Sequence, residues 1–164
     1  MALTAAQALW FLPFVAPICL WAAWSDLKFM KIRNKSVAAL LLVFFVVGLL
    51  AVPLAEYPWR VLQIVVVLAV GFLANMVGLL GAGDAKFAAG MAPFIPREDA
   101  GLFFMLLAVV MLAALATHRV FRAMPAFRRL TPGWKSWEVR DFPMGLALGG
   151  SLFFYLLLGL VAGS

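Results

Sequence analysis

The sequence has few charged residues and no long polar stretch. Only 12% of its 164 residues are Asp, Glu, Lys or Arg, whereas 66% are hydrophobic. A soluble domain of this size cannot bury so much apolar surface, so the composition excludes a soluble enzyme and indicates a polytopic membrane protein. Because no polar stretch is long enough to build a second core, we expect residues 1–164 to form a single membrane-embedded domain.

Side chains that bind metals are also scarce. Cys19 is the only cysteine and His118 the only histidine. No intramolecular disulfide and no CxxC pair for zinc is therefore available, and we expect no metal and no organic cofactor. We expect neither Cys19 nor His118 to have a chemical role. Residues 1–9 contain no Lys or Arg, so they lack the basic region of a secretory signal peptide, and the first apolar run is interpreted as a retained span.

Six apolar runs predict an all-α fold with six transmembrane helices, at about Ala5–Trp24, Val37–Leu54, Val61–Leu80, Ala85–Ile95, Ala100–Thr117 and Phe142–Ala162. The fourth run is short, because its residues make only about 16 Å of helix at ~1.5 Å per residue. The hydrocarbon core of a bilayer is about 30 Å thick. This run is therefore either re-entrant, or it crosses with the help of its flanks where the bundle thins the membrane.

The distribution of positive charge favours crossing. The net charge is +6, and the basic residues are concentrated in two loops, residues 25–36 and 118–141. These loops lie on the same side only if the fourth run crosses, and basic loops are typically cytoplasmic. We therefore predict six spans with both termini outside, and we interpret the charge as a membrane signal and not as a nucleic-acid site. Aromatic residues alternate with the arginines of loop 118–141, so we expect this loop to lie along the anionic leaflet, with membrane lipid as a partner.

Two aspartates are placed at the cytoplasmic ends of predicted spans. Asp26 follows span 1, and Asp84 lies in the glycine-rich break Gly81-Ala82-Gly83-Asp84-Ala85-Lys86 before span 4. An acid between membrane spans is costly to place, so it is a candidate functional residue. The predicted topology brings both acids to one depth on one face. Two close carboxyl groups share a proton, so that one activates water while the other donates to the attacked carbonyl, as in aspartic proteases.

Three motifs in this order resemble those of the type IV prepilin peptidases. The glycine-rich break matches the GxGDxK motif of that family. The family's first aspartate precedes an Ile-Pro-Asn turn, and here Asp26 precedes Ile32-Arg33-Asn34. A Pro–aromatic–Gly motif that opens the last helix of the family is echoed by Pro143-Met144-Gly145. Arg33 thus replaces the usual proline and Met144 the usual aromatic residue. The short chain is most similar to the tight-adherence (Flp) pilus branch.

The resemblance implies a membrane-embedded aspartic endopeptidase of the bacterial inner membrane. Asp26 and Asp84 would be its catalytic residues, and the substrate would be a prepilin whose basic leader is cut off at the cytoplasmic face. The supporting or substrate-binding positions would be Lys86, Asn34, Gly81, Gly83, Pro143 and Gly145. Family members that also methylate the new N-terminus often carry paired CxxC motifs, which are missing here. The resemblance therefore implies a peptidase without methyltransferase activity. Which aspartate is the base, and how many chains assemble, stay open.

Several positions keep more than one interpretation. Lys86 tunes the pKa of Asp84, contacts substrate, or anchors its helix at the interface. Asn34 either hydrogen-bonds an aspartate or caps span 2. Asp141 lies on the same face as the two aspartates, and we interpret it as a residue at the helix N-terminus, directly before span 6, where a negative charge is favoured.

Two other functions remain open. A small proton-coupled transporter or channel component would use the same acids as a relay, although such proteins often have inverted repeats and paired broken helices, and this chain has only one break. A non-catalytic pilus assembly factor is the third possibility, and it would tolerate the loss of one aspartate.

Overall fold

The structure is a computed structural model that describes residues 1–139 and 141–163. Within them the chain forms an all-α bundle whose helices are α1 (Ala5–Phe29), α2 (Asn34–Ala51), α3 (Tyr57–Met76), α4 (Ala82–Met91), α5 (Ala100–Ala123), α6 (Pro125–Leu130) and α7 (Met144–Ala162). Short 3₁₀ turns occupy Ala92–Phe94, Arg97–Asp99 and Lys135–Trp137. The all-α membrane fold predicted from the sequence is confirmed.

Five of these helices are long and apolar enough to cross a membrane, namely α1, α2, α3, α5 and α7. The fourth predicted span does not form such a helix. Its residues form the ten-residue α4, followed by the two 3₁₀ turns before α5. The prediction of six full spans is therefore replaced by five long helices and one short, interrupted segment.

The interrupted segment nevertheless runs from one end of the bundle to the other. At its start, Asp84 shares a cavity with Asp26, which lies in the last turns of α1. At its end, Asp99 accepts a hydrogen bond from the backbone amide of Leu3, just before α1 begins. Two α3 side chains satisfy carbonyl groups that the interruption frees. Arg60 donates to Pro93 at 3.2 Å, and Gln63 donates to Ile95 at 3.1 Å.

Helices α1 and α7 form the most extensively packed pair of the bundle. They approach closely because small residues line their contact, and a Cβ on Gly149 would lie only 2.8 Å from the carbonyl oxygen of Cys19. Pro13 and Pro17 lie inside α1 without ending it. The α1–α7 contact fixes the relative position of the C-terminal end of α1 and the N-terminal end of α7, which are the two elements that build the site.

The predicted boundaries differ from the structure most at α1 and α5. Helix α1 continues to Phe29 instead of ending at Trp24, so Asp26 lies within the helix and not after it. Helix α5 continues to Ala123, six residues beyond the predicted end at Thr117. Polar residues at these ends suggested a loop, but each helix extends past the apolar run that defined the prediction.

Candidate active site

Asp26 is held by the beginning of α7. Its side chain is 5% exposed, and Oδ2 accepts a hydrogen bond of 2.7 Å from the backbone amide of Gly145, in the first turn of that helix. The first amides of a helix have no partner inside the helix and carry partial positive charge, so they favour an anion. Pro143 is the N-cap residue of α7, and its lack of an N–H costs nothing at this boundary.

Gly145 is required at this position because Asp26 approaches so closely. A Cβ on Gly145 would lie 2.8 Å from Cβ of Asp26 and 3.1 Å from its Oδ2. The same atom would lie 3.1 Å from Cγ1 of Ile32. The sequence motif Pro143-Met144-Gly145 therefore has a direct structural reason: its proline opens the helix and its glycine makes room for an aspartate.

The chain reverses direction directly after Asp26. Met30 is the C-cap residue of α1 and adopts a left-handed conformation with φ of 52°. Its backbone N–H donates to the carbonyl oxygen of Asp26 at 2.7 Å. Ser25 then donates its hydroxyl to the carbonyl oxygen of Lys31 at 3.0 Å. A left-handed residue is a common way to end a helix, although glycine is the usual residue in that conformation. The turn places Ile32 against both Gly145 and Gly83.

Asp84 lies in the first turn of α4, with its carboxyl group against Gly81. A Cβ on Gly81 would be 2.5 Å from Oδ2 of Asp84, so a larger residue there would displace the carboxylate from its present position. The two glycines of the motif differ in this respect. A Cβ on Gly83 would meet Ile32 at an ordinary distance of 3.6 Å.

The surroundings of Asp84 favour its protonated form. Asp84 precedes the fourth apolar run, is half-buried and lies outside the five long helices. Burial and, to a lesser extent, the negative charge of Asp26 raise the pKa of its carboxyl group, the backbone of Gly81 partly opposes both effects, and the result is a pKa of about 6. The influence of Asp26 on this pKa also indicates that the two carboxyl groups are close enough to interact.

A single cleft of about 820 Å³ contains both aspartates, although 58 positions separate them in the sequence. Its size falls within the range of about 300–1,000 Å³ that is usual for ligand sites. Its walls come from the turn after α1, the loop between α3 and α4, and the segment before α7. Besides the two aspartates, the lining includes Lys31, Asn34, Lys86, Val139 and Asp141.

The predicted supporting residues fall into two groups. Gly81 and Gly145 touch the aspartates directly, as described above. Lys86 and Asn34 line the cleft with exposed side chains, and within residues 1–139 and 141–163 no hydrogen bond or ion pair joins them to either aspartate. Helix α2 begins at Asn34 after the N-cap residue Arg33, without a side-chain cap. Neither interpretation of Asn34, as a cap or as an aspartate partner, appears in the structure.

Asp141 is part of the cleft but not of α7. The helix begins at Met144, two residues later than predicted, and no acid lies in its first turn. Asp141 therefore lies three residues before α7, further from the helix than predicted. Its exposed carboxylate instead lines the same cleft as Asp26 and Asp84.

The basic loop before α7 is more folded than the sequence suggested. Trp137 is buried and stacks on His118 with ring centroids 5.0 Å apart, and its indole Nε1–H donates to the hydroxyl of Thr131. The 3₁₀ turn Lys135–Trp137 packs against α1. His118 therefore has a packing role, which no pattern in the sequence predicted.

Sequence reasoning also missed a buried polar cluster at the opposite end of the bundle. Asp99 accepts hydrogen bonds from the amides of Ala2 and Leu3 and, at 2.7 Å, from the hydroxyl of Tyr155. This cluster ties the start of the chain, the beginning of α5 and the middle of α7 together. In the sequence, Asp99 belonged to a short polar linker with no visible partner.

In the described part of the chain, no group of three or more His, Cys, Asp or Glu side chains is arranged so that it could hold a metal ion. The cleft can instead perform proton transfer, because it contains a carboxylate that accepts an amide hydrogen bond and a second carboxyl group with a raised pKa.

One of the comparisons with known proteins identifies a family. The model of the type IV leader peptidase family matches residues 13–117, about two thirds of the chain, and includes both aspartates. Comparisons with curated proteins and with solved structures give no significant match. The matched segment runs from the middle of α1 almost to the end of α5, so it contains all but one of the elements that build the cleft. The chain belongs to the type IV leader peptidase family.

Proposed function

We propose that Asp26 and Asp84 are the catalytic pair of an aspartic endopeptidase that removes the basic leader from a prepilin of the type IV or Flp kind. The observation that carries this proposal is the placement of two sequence-distant carboxyl groups in one cleft. The cleft lies at the end of the bundle that carries the basic loops, which supports a cytoplasmic location, and the membrane in this proposal is the bacterial inner membrane. The three motifs that resemble those of prepilin peptidases all contribute to this cleft or its immediate support.

We assign the role of general base to Asp26. Its Oδ2 accepts the Gly145 amide, and a hydrogen bond to the charged form favours that form. Asp84 is assigned as the acid, because burial and the charge of Asp26 favour its protonated form. The pair titrates as a unit, so this assignment describes the arrangement in which one shared proton lies mainly on Asp84.

The reaction then proceeds in two balanced steps. A water molecule between the acids attacks the peptide carbonyl carbon, its proton passes to Asp26, and Asp84 gives its proton to the carbonyl oxygen. The tetrahedral diol collapses when Asp84 takes a hydroxyl proton back, the carbon–nitrogen bond breaks, and Asp26 delivers its proton to the departing nitrogen. Both aspartates return to their initial states, and no metal or organic cofactor takes part.

The cleft offers a basic leader one acidic contact that the reaction does not use, despite the basic residues nearby. The lining contains three carboxyl groups, from Asp26, Asp84 and Asp141, and two ammonium groups, from Lys31 and Lys86. Asp141 is exposed and not needed for the proton transfers above. It therefore offers a carboxylate that can contact the positive charges of a leader.

We also propose that the protein cleaves its substrate but does not methylate the new N-terminus. Methylation within the family often accompanies paired CxxC motifs, and the single cysteine here, Cys19, is buried inside α1. Mass spectrometry of the mature product tests this proposal, since a methylated N-terminus would contradict it.

The proposed function is tested with the purified protein in lipid vesicles and a pilin precursor. The peptidase proposal predicts a shortened product with one new N-terminus, determined by mass spectrometry. A transporter that uses the same acids would instead produce proton flux without cleavage, which is measured in the same vesicles with a pH-sensitive dye. Flux without any shortened product would overturn the proposal.

A further inference from the structure

A cluster of arginines surrounds a second cavity, at the corner where α5 ends. The chain turns at Met124, and α6 starts at Pro125. A cavity of about 340 Å³ is lined there by Arg122, Ala123, Pro125, Arg128 and Arg129. Its volume lies at the lower end of the range of about 300–1,000 Å³ usual for ligand sites. We call this feature the arginine corner.

The charge of the arginine corner is not neutralised within the described chain. The ion pairs found among residues 1–139 and 141–163 are Arg60–Glu56 and Arg97–Glu98, both at the opposite end of the bundle. Three guanidinium groups around one cavity repel each other unless an anion joins them. Guanidinium groups bind phosphate with two parallel hydrogen bonds, which makes a phosphate group the best-suited anion.

The surroundings of the arginine corner favour a lipid over a soluble phosphate. Met124 and Leu130, next to the arginines in sequence, are exposed, and Leu130 is 79% exposed. Exposed apolar side chains beside basic ones are typical of segments that lie in a membrane interface. We propose that the arginine corner binds the headgroup of an anionic phospholipid, whose phosphate contacts the guanidinium groups while its acyl chains lie along the adjacent apolar side chains.

This site is connected to the catalytic cleft by one hydrogen bond. Nη1 of Arg122 donates to the carbonyl oxygen of Val139 at 2.9 Å, and Val139 lines the cleft that holds Asp26 and Asp84. A headgroup that restrains the side chain of Arg122 would therefore also restrain the position of Val139 in the wall of the cleft. That consequence rests on the proposed function, whereas binding of the lipid does not.

The test measures thermal unfolding of the whole protein in phosphatidylcholine micelles, with and without added phosphatidylglycerol. Phosphatidylglycerol should raise the unfolding midpoint of the wild type by about 2–4 °C. In the double variant R128Q/R129Q this rise should be lost. The matched control is R119Q/K135Q, which removes two exposed positive charges from the same region but leaves the arginine corner intact. The control should keep the full rise.

Each other outcome overturns the proposal. An equal rise in all three proteins would mean a general attraction of charge to the micelle, and no rise in any of them would mean no binding. A rise of the same size with inorganic phosphate, added without anionic lipid, would mean that the ligand is a soluble anion. Because Arg128 and Arg129 are exposed, the double variant should unfold at the wild-type midpoint in phosphatidylcholine alone. If it does not, the comparison is repeated with R129Q against R119Q.

Binding and activity are measured separately. If phosphatidylglycerol binds at the arginine corner but cleavage of a precursor is never observed, the proposed function fails and the lipid site stands. If cleavage occurs with equal kcat/KM in wild type and R128Q/R129Q at every lipid composition, the connection through Val139 is wrong.

Discussion

Replacing Gly145 by alanine tests how Asp26 is held without removing any acid. The new methyl carbon would lie 2.8 Å from Cβ of Asp26, whereas ordinary contact begins at 3.4 Å. Asp26 or the start of α7 must therefore move by at least about 0.6 Å. Ile32 cannot yield easily in the other direction, because it is buried and its Cγ1 is only 3.1 Å from the same methyl position.

The expected consequence is a loss of activity much larger than the loss of stability. Adding a methyl group to a packed site costs about 1–3 kcal/mol of folding free energy. A displacement of about 1 Å in a catalytic group lowers the rate by about 10²-fold. We therefore expect G145A to accumulate in the membrane while kcat/KM for precursor cleavage falls by about 10²-fold.

Two matched variants make this comparison decisive. G83A adds the same methyl group to the GxGD motif but meets Ile32 at 3.6 Å, and G101A adds it where no atom lies within 4 Å. Both should keep kcat/KM within a few-fold of the wild type. The reasoning is refuted if G145A cleaves as fast as G101A, because Asp26 would then not depend on its close contact with α7.

Three further predictions concern the aspartates and the interrupted segment. Since the pKa of Asp84 is raised to about 6, kcat/KM should fall as the pH rises above about 6, because the proton that Asp84 donates is lost; a rate that keeps rising to pH 8 would contradict its role as the acid. In D26N the pKa of Asp84, followed by carbon-13 NMR of its carboxyl group, should decrease because a neighbouring negative charge is removed, yet stay above its ordinary value because burial remains. The variant R60M removes a buried guanidinium that donates to the carbonyl of Pro93, and should lower the free energy of unfolding by about 1.5–3 kcal/mol. Arg97, which forms an exposed ion pair with Glu98, serves as the control, since R97Q should change the unfolding midpoint little. Equal effects of R60M and R97Q would argue against an anchoring role of Arg60.

The long helices were predictable because their apolar runs are longer than any that loops contain. Five runs became helices long enough to span, and the errors lie mainly at their ends. The fourth run could not be assigned from hydrophobicity, because α4 owes its position to buried polar contacts. Arg60 and Gln63 of α3 hold the carbonyls that follow α4, and such pairings between distant residues leave no local pattern in a sequence.

The candidate site could be predicted where the residues of a sequence motif are the same residues that contact the aspartates. Glycine at Gly81 and Gly145 marks places where a carboxylate leaves no room for a Cβ, so the motif residues and the contacts coincide. The sequence placed Asp141 on the face of the two aspartates, but its distance from α7 could not be predicted, because the exact first residue of a helix is not marked in a sequence. The Asp99–Tyr155 contact could not be predicted, since its members are 56 positions apart and lie in segments without any motif.

The most direct test of the account compares cleavage of a pilin precursor by wild type, D26N, D84N and D141N at equal amounts in the membrane. Asparagine keeps the size of each side chain but can neither take up nor release the proton that the reaction moves. The account predicts that D26N and D84N leave the precursor uncut, while D141N still yields the wild-type product, with its effect confined to KM. Cleavage by D26N or D84N at close to the wild-type rate would contradict the central claim that these two aspartates act together on the peptide bond.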